Sequence, residues 1–362
     1  MADMTVGALL RERGVSRRTF LKFCTALASL MALPPGMGGA IARALERARR
    51  PSVIWLSFQE CTGCTESLTR SATPTVEGLI LDLISLDYHH TLQAASGTAA
   101  EAARERAMKE AFGHYVLIVD GSIPLGNAGY STIAGISNAA LLAETAQGAA
   151  AVVAVGSCAS FGGLPAAEPN PTGAVAVSEL VKDRPVVNVP GCPPIGVVIA
   201  GVVAHYLTFG KVPELDALGR PKVFYGETIH DRCYRRTFYD RGMFAESFDD
   251  EGARKGWCLY KLGCKGPVTY NACATTKWNS GISFPIQSGH GCLGCSEPAF
   301  WDVGGFYHAL SMTTTPLNKP TGIALAAGAV VGAAVAIGNR KKQADARKGH
   351  QKATLGDLEK TS

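Results

Sequence analysis

Ser52-Val53-Ile54-Trp55-Leu56-Ser57-Phe58-Gln59-Glu60-Cys61-Thr62-Gly63-Cys64 decides the fold of this chain: an apolar, β-branched run that ends in two cysteines three positions apart. Similar runs recur at Tyr115 to Asp120, Ala151 to Val155 and Pro185 to Val189. Between them lie segments long enough for helices, among them Gly97 to Phe112 and Ile133 to Gln147. Runs that are apolar at nearly every position suit parallel strands buried on both faces. The expectation over residues 51–215 is an α/β domain, a flavodoxin-like doubly wound parallel sheet. Such sheets bind ligands at the carboxyl ends of their strands. Cys61 and Cys64 follow the first run, Cys158 lies three residues after Val155, and Cys192 three residues after Val189. Four thiolates therefore converge on one crevice. Gly63, Gly156, Gly162, Gly163 and Gly191 surround them, as expected where backbone must approach a bulky inorganic cluster and offer N–H groups to its sulfurs. Four thiolates at one site fit a 4Fe-4S cube better than a single metal ion.

From about Lys222 the pattern breaks into short pieces rich in Gly, aromatic residues and Cys. Residues 216–312 are expected to form a second, mostly irregular domain held by something other than a large core. The chain has 11 cysteines, and without Cys24 ten remain for the body. Ten cysteines in an exported protein would ordinarily be read as a disulfide framework. Structural zinc would also use CxxC pairs, but it needs four ligands in one small knuckle, and these cysteines are spread too widely. His230 and Cys233 form an HxxC pair followed by Cys258 and Cys264, which makes a second set of four. A lone His beside a Cys is often only a surface residue; here it supplies the ligand that three cysteines lack. Cys273, Cys292 and Cys295 remain for a 3Fe-4S cluster, with Pro285 where a fourth thiolate would have stood.

Of the 362 residues, 47% are hydrophobic and 18% charged, too apolar for a disordered chain. The formal charge of +5 invites a nucleic-acid or acidic-membrane partner. Residues 1–50 carry +6 and residues 340–362 carry +4, so the body between them is acidic at −5. No nucleic-acid partner is expected. The first excess belongs to Ser16-Arg17-Arg18-Thr19-Phe20-Leu21-Lys22, followed by an uncharged stretch from Phe23 through Ala40. This reads as a twin-arginine signal peptide over residues 1–44, with small-residue cleavage motifs at Ala40-Ile41-Ala42 and Ala42-Arg43-Ala44. That export route carries proteins already folded in the reducing cytoplasm, which favours metal ligands over disulfides.

The other end reads as a C-terminal transmembrane helix. Residues 321–339 hold no charge, and Arg340-Lys341-Lys342 follows at once. The positive-inside rule places residues 340–362 in the cytoplasm and the globular part in the periplasm, on the inner membrane. The span is mostly Ala and Gly, so a helix packed on a partner protein is the alternative; Gly328 and Gly332 have small-xxx-small spacing.

With these residues assembled, the chain resembles the small subunit of membrane-bound nickel-iron hydrogenases over nearly its full length. The resemblance rests on the twin-arginine leader, Glu60-Cys61-Thr62-Gly63-Cys64-Thr65-Glu66-Ser67, Gly156-Ser157-Cys158, Pro169-Asn170-Pro171-Thr172-Gly173, Pro190-Gly191-Cys192-Pro193-Pro194, His230-Asp231-Arg232-Cys233, Gly289-His290-Gly291-Cys292-Leu293-Gly294-Cys295-Ser296-Glu297-Pro298, and the anchor. It implies that Cys61, Cys64, Cys158 and Cys192 hold a proximal 4Fe-4S cluster. Cys273, Cys292 and Cys295 would hold a medial 3Fe-4S cluster, and His230, Cys233, Cys258 and Cys264 a distal 4Fe-4S cluster. It also implies that the nickel-iron centre lies in a separate large subunit, so no catalytic residue is expected in this chain. Electrons would leave through a membrane cytochrome b to quinone.

Oxygen-tolerant members of that family resemble this chain but carry extra cysteines where Gly63 and Gly163 stand, which implies a conventional proximal cubane here. Glu66 could carry protons or hold a backbone turn. A disulfide-stapled exported structural protein and a quinone-reductase-like iron-sulfur subunit are the rival readings.

Overall fold

A computed structural model describes residues 5–34, 36–302 and 306–310. The expected anchor at 321–339 and tail at 340–362 lie outside the described residues. Among the described residues no helix is long and apolar enough to cross a membrane.

Five parallel strands form the central sheet: β1 (Ser52–Ser57), β2 (Ser85–His89), β3 (Tyr115–Asp120), β4 (Ala149–Val155) and β5 (Val186–Val189), in the order β2-β1-β3-β4-β5. Strand order reverses beside β1, the chain crossing from β2 over β1 to reach β3. The expected α/β architecture is therefore present.

Register fixes the functional edge. Ser57 pairs with Asp120, Asp120 with Val155, and Val155 with Val189, so four strands end level. Successive side chains alternate faces. Val53, Trp55, Val116, Ile118, Val153 and Val155 enter one core, and Ile54, Leu56, Leu117, Val119, Val152 and Ala154 enter the other. Both faces are dry, which is why these strands carry almost no polar positions.

The helices are α1 (Val6–Glu12), α2 (Arg17–Leu30), α3 (Met37–Arg47), α4 (Gly63–Thr69), α5 (Gly97–Glu110), α6 (Asn138–Ala146), α7 (Gly156–Phe161) and α8 (Gly196–Phe209), besides shorter helical turns. Helices α5 and α6 cover the second core through Ala100, Ala107, Leu141 and Leu142. Apolar nearly all round, α8 lies in the first core with Val198, Ile199, Val202 and Val203 buried.

Helices α1 to α3 hold most of the expected leader. Cys24, Leu27, Met31, Ile41 and Leu45 are buried, while Arg17 and Arg18 stand exposed on the first turn of α2, after the N-cap Ser16.

Among the described residues of 216–310 the helices are only short turns, as expected of an irregular region. Their few apolar anchors, including Ile229, Phe284 and Ile286, join the same core as the first face of the sheet.

Candidate metal-cluster sites

The level strand ends carry the first cysteine set. Cys61 follows β1, Cys64 opens α4, Cys158 opens α7 directly after β4, and Cys192 follows β5. They lie close enough for the charge on one to shift the next: Cys64 responds to Cys158 and Cys61, Cys158 to Cys192 and Cys61, and Cys192 to Cys61. Close backbone approach is built in. A Cβ on Gly156 would lie 2.5 Å from Cys64 Sγ, and one on Gly163 would lie 2.7 Å from the Cys158 nitrogen and 2.8 Å from its Sγ. Both glycines have positive φ, +88° and +57°, where a side chain is strained in any case.

A cavity in the second region is lined by His230, Cys233, Cys258 and Cys264, with Tyr260, Pro267 and Ile286. All four residues read from the HxxC pair and its partners therefore face one space. His230 packs edge-on against Tyr239 at 4.5 Å between ring centroids, and burial lowers its basicity, which favours the neutral imidazole a metal requires.

The third set lies between these two. Cys273 and Cys292 are buried and both respond to Cys295. Cys295 in turn influences Cys192, and Cys292 donates its backbone N–H to Cys264 Sγ at 3.3 Å. The donors are thus chained: the strand-end set couples electrostatically to the trio through Cys192 and Cys295, and the trio touches the His230 set through Cys292 and Cys264. Pro285 is exposed, and its carbonyl accepts from the His290 N–H at 2.9 Å.

All eleven cysteines are free, so the disulfide-framework reading has no support in the structure. Burial pushes the Cys158 and Cys273 thiols up to about 12 and Cys258 up to about 11, with Cys64 and Cys292 also raised well above the usual thiol range. Such buried sulfurs become stable thiolates only beside a strong cationic centre. Among the described residues no three His, Cys, Asp or Glu side chains converge on a point where one metal ion would sit. In a polynuclear cluster each iron takes its own protein ligand, so its ligands need not meet at one point.

Several residues support the sites through contacts that no sequence spacing predicts. The Ser157 hydroxyl donates to the Cys295 carbonyl and accepts from Gly191 N–H at 3.0 Å, stapling two strand-end loops to the trio. Arg220, 4% exposed, pairs with Asp216 at 2.8 Å and Glu297 at 2.9 Å and donates to the Ser296 carbonyl. Asp120 is fully buried at the end of β3, where desolvation holds its carboxyl at about 6. Burial, then the Asp120 charge, pushes Glu60 up to about 7. Of the residues singled out from sequence, Glu66 is an exposed partner of Arg70 at 2.7 Å. Asp231 closes a capping box with Thr228.

A strand-end cysteine set continuing through coupled donor groups into a cysteine-rich region is the arrangement of an iron-sulfur electron-transfer subunit. Residues 61–206 match the family "NADH ubiquinone oxidoreductase, 20 Kd subunit", and residues 225–307 match the C-terminal family of the "NiFe/NiFeSe hydrogenase small subunit". The chain is 52% identical to the uptake hydrogenase small subunit of Azotobacter vinelandii, over 91% of this chain and 92% of that one. It is 48% identical to the hydrogenase-1 small chain of Escherichia coli, over 94% of this chain and 92% of that one. Among solved structures, the [NiFeSe] hydrogenase of Desulfovibrio vulgaris Hildenborough aligns with a TM-score of 0.67 at 38% identity, covering 72% of this chain and 98% of that chain. The chain belongs to the small subunits of the nickel-iron uptake hydrogenases. It is the electron-transfer subunit of a heterodimer whose other member is the hydrogenase large subunit.

Proposed function

We propose that Cys61, Cys64, Cys158 and Cys192 hold a proximal 4Fe-4S cluster, Cys273, Cys292 and Cys295 a medial 3Fe-4S cluster, and His230, Cys233, Cys258 and Cys264 a distal 4Fe-4S cluster. When bound, these clusters supply three one-electron stations. The observation that carries the reading is the chain of donors: Cys192 beside Cys295, and Cys292 N–H on Cys264 Sγ.

The residues act by holding and tuning. N–H groups of Arg235, Cys292 and Gly294 lie 3.3–3.4 Å from the sulfurs of Cys233, Cys264 and Cys292 and disperse thiolate charge, which raises a site's potential. His230 contributes a neutral ligand where the other sites have thiolate, a further push upward at the end farthest from the strand-end set. Electrons from dihydrogen oxidation in the large subunit enter at the strand ends and leave past His230 to a membrane cytochrome b and quinone.

In this reading residues 1–44 are a twin-arginine leader, 51–215 the flavodoxin-like domain, 216–312 the domain of the distal and medial clusters, 321–339 a membrane anchor and 340–362 a cytoplasmic tail. The globular part then works on the periplasmic face of the inner membrane. Gly63 and Gly163 favour a conventional proximal cubane; a side chain at 163 meets the Cys158 backbone.

Iron analysis and EPR of the purified heterodimer test the assignment. About twelve irons per heterodimer, eleven in the three small-subunit clusters and one in the large subunit's nickel-iron centre, with one 3Fe-4S signal in the oxidised state, is the expected result. Stoichiometric zinc, or loss of the 3Fe-4S signal on replacing Cys258 instead of Cys273, overturns it.

A further inference from the structure

We infer that residues 5–34 and 36–44 form a folded cap that locks its own processing site inside a helix, so that the leader stays on the body until it is peeled away. The inference rests on reading this segment as an export leader. Both cleavage motifs, Ala40-Ile41-Ala42 and Ala42-Arg43-Ala44, fall within α3, and Ala40, Ile41 and Ala42 are buried. Proteases bind extended chain through its backbone groups, whereas the amides inside a helix are already bonded to their own i−4 carbonyls. Cleavage then waits on local opening and follows its equilibrium. The step itself adds water across the Ala42–Arg43 or Ala44–Leu45 peptide bond, leaving an alanine carboxylate and a new amino terminus.

Close contacts hold the cap shut. A Cβ on Gly38 would lie 2.6 Å from Thr25 Oγ1 and 2.9 Å from its Cα, so α3 seats directly against α2. A Cβ on Gly7 would lie 2.7 Å from the Glu46 carbonyl oxygen, which seats α1 on α3 just past the cleavable bonds. Val6 N–H donates to the Ala48 carbonyl at 2.9 Å and reinforces that closure. On the body, Leu30 lies over Gly201 of α8, and Arg13 pairs with Asp82 at 3.1 Å.

The arrangement separates what is shown from what is hidden. Arg17 and Arg18 are exposed, while Cys24 and Leu27 of the apolar run are at 0% exposure. A receptor can read the arginines on the closed cap. Transfer of α2 into a bilayer removes the surface on which α3 is seated and frees the processing site to extend.

Adjacent glycines provide the test. A Cβ on Gly39 would meet only Arg43 Nη1, at 3.8 Å, so Gly39→Val makes the same helix substitution as Gly38→Val without the collision. Full-length precursor of each form, in non-ionic detergent, is treated with a membrane signal peptidase, and hydrogen exchange over residues 39–47 is followed by mass spectrometry. Wild type and Gly39→Val should be cut equally slowly with protected amides. Gly38→Val should be cut at least about ten-fold faster, with protection lost. Equal rates and equal exchange in all three overturn the cap, and absence of cleavage in every form overturns the masked site. The leader reading is checked apart from this, by Arg17→Lys with Arg18→Lys, which should stop export in cells and leave exchange over α3 unchanged. Continued export would sink that reading and leave the exchange result standing.

Discussion

Residues 52–209 bury Val, Ile and Leu on both faces of one sheet, whereas among residues 216–310 no described helix exceeds five residues. In that second stretch only eight apolar side chains other than cysteine are buried among the described residues. The first region has the ordinary source of stability, apolar surface removed from water at about 25 cal/mol per Å². The second has too little of it to order its loops, and seven of the eleven proposed ligands lie there. Cluster binding should therefore be folding energy in the second region and only a local matter in the first.

The largest effect expected on that contrast comes from Cys264→Ser, which removes a buried proposed ligand from the His230 cavity and the sulfur that accepts the Cys292 N–H. Residues 216–310 should lose hydrogen-exchange protection as a block while β1 to β5 keep theirs. Metal-linked folding in small domains is worth on the order of 10 kcal/mol. Leu117→Ala, wholly inside the sheet, should instead cost about 2–5 kcal/mol in a cooperative melt and leave the iron content unchanged. If Cys264→Ser leaves protection intact, the second region holds itself.

Next in size is Arg220→Met. Arg220 joins the end of the sheet region to Ser296 and Glu297 beside Cys295, and its removal strands two partly buried carboxylates. About 3–5 kcal/mol of stability should be lost. The 3Fe-4S signal should broaden before the strand-end cluster is affected. A uniform loss of all three signals would mean that the two regions are not separable at this clamp.

Smaller again are two glycines at the strand-end site. Gly163→Ala puts a methyl 2.7–2.8 Å from Cys158 backbone atoms at a φ of +57°, while Gly63→Ala meets Cys61 Sγ at 3.2 Å with ordinary backbone. The first should cost about 1–3 kcal/mol and disturb the proximal EPR signal; the second should leave it nearly unchanged. Equal effects would show that the loop after β4 yields as readily as the one after β1.

The contrast also explains what the sequence could reveal. Strands β1, β3, β4 and β5 were legible because burial on both faces leaves few polar positions in them, mostly at their ends. Strand β2, Ser85-Leu86-Asp87-Tyr88-His89, mixes polar and apolar residues, so it gave no such signal. Helix α8 was hidden for the opposite reason: it is apolar all round and has no period to detect. The cysteine sets could be divided by spacing because ligands are few and chemically distinct. Arg220, Ser157 and Asp120 act through contacts distant in sequence, Arg220 reaching Glu297 and Ser157 reaching Cys295. Single-sequence patterns do not encode such contacts. The packing of α1 to α3 was masked by their reading as a leader, which says what a segment is for and nothing about what it rests on.

Glu66 offers the smallest effect and the clearest choice between two readings. Its side chain pairs with Arg70 at 2.7 Å, four residues on along α4, with 56% and 57% of the two side chains exposed. An exposed pair of this kind contributes about 0.3–0.5 kcal/mol at best. A proton carrier next to the proximal site would need a path inward, and Glu66 instead turns toward solvent and Arg70. The buried carboxyls on that side of the sheet are Asp120 and, half-buried, Glu60, whose own elevation comes from burial and the Asp120 charge. Glu66→Gln should therefore shift the melting temperature by no more than about a degree or two and leave hydrogen-oxidation rates and their H2O/D2O ratio unchanged. A changed solvent isotope ratio would assign Glu66 to proton traffic, and a surface ion pair alone would then not account for it.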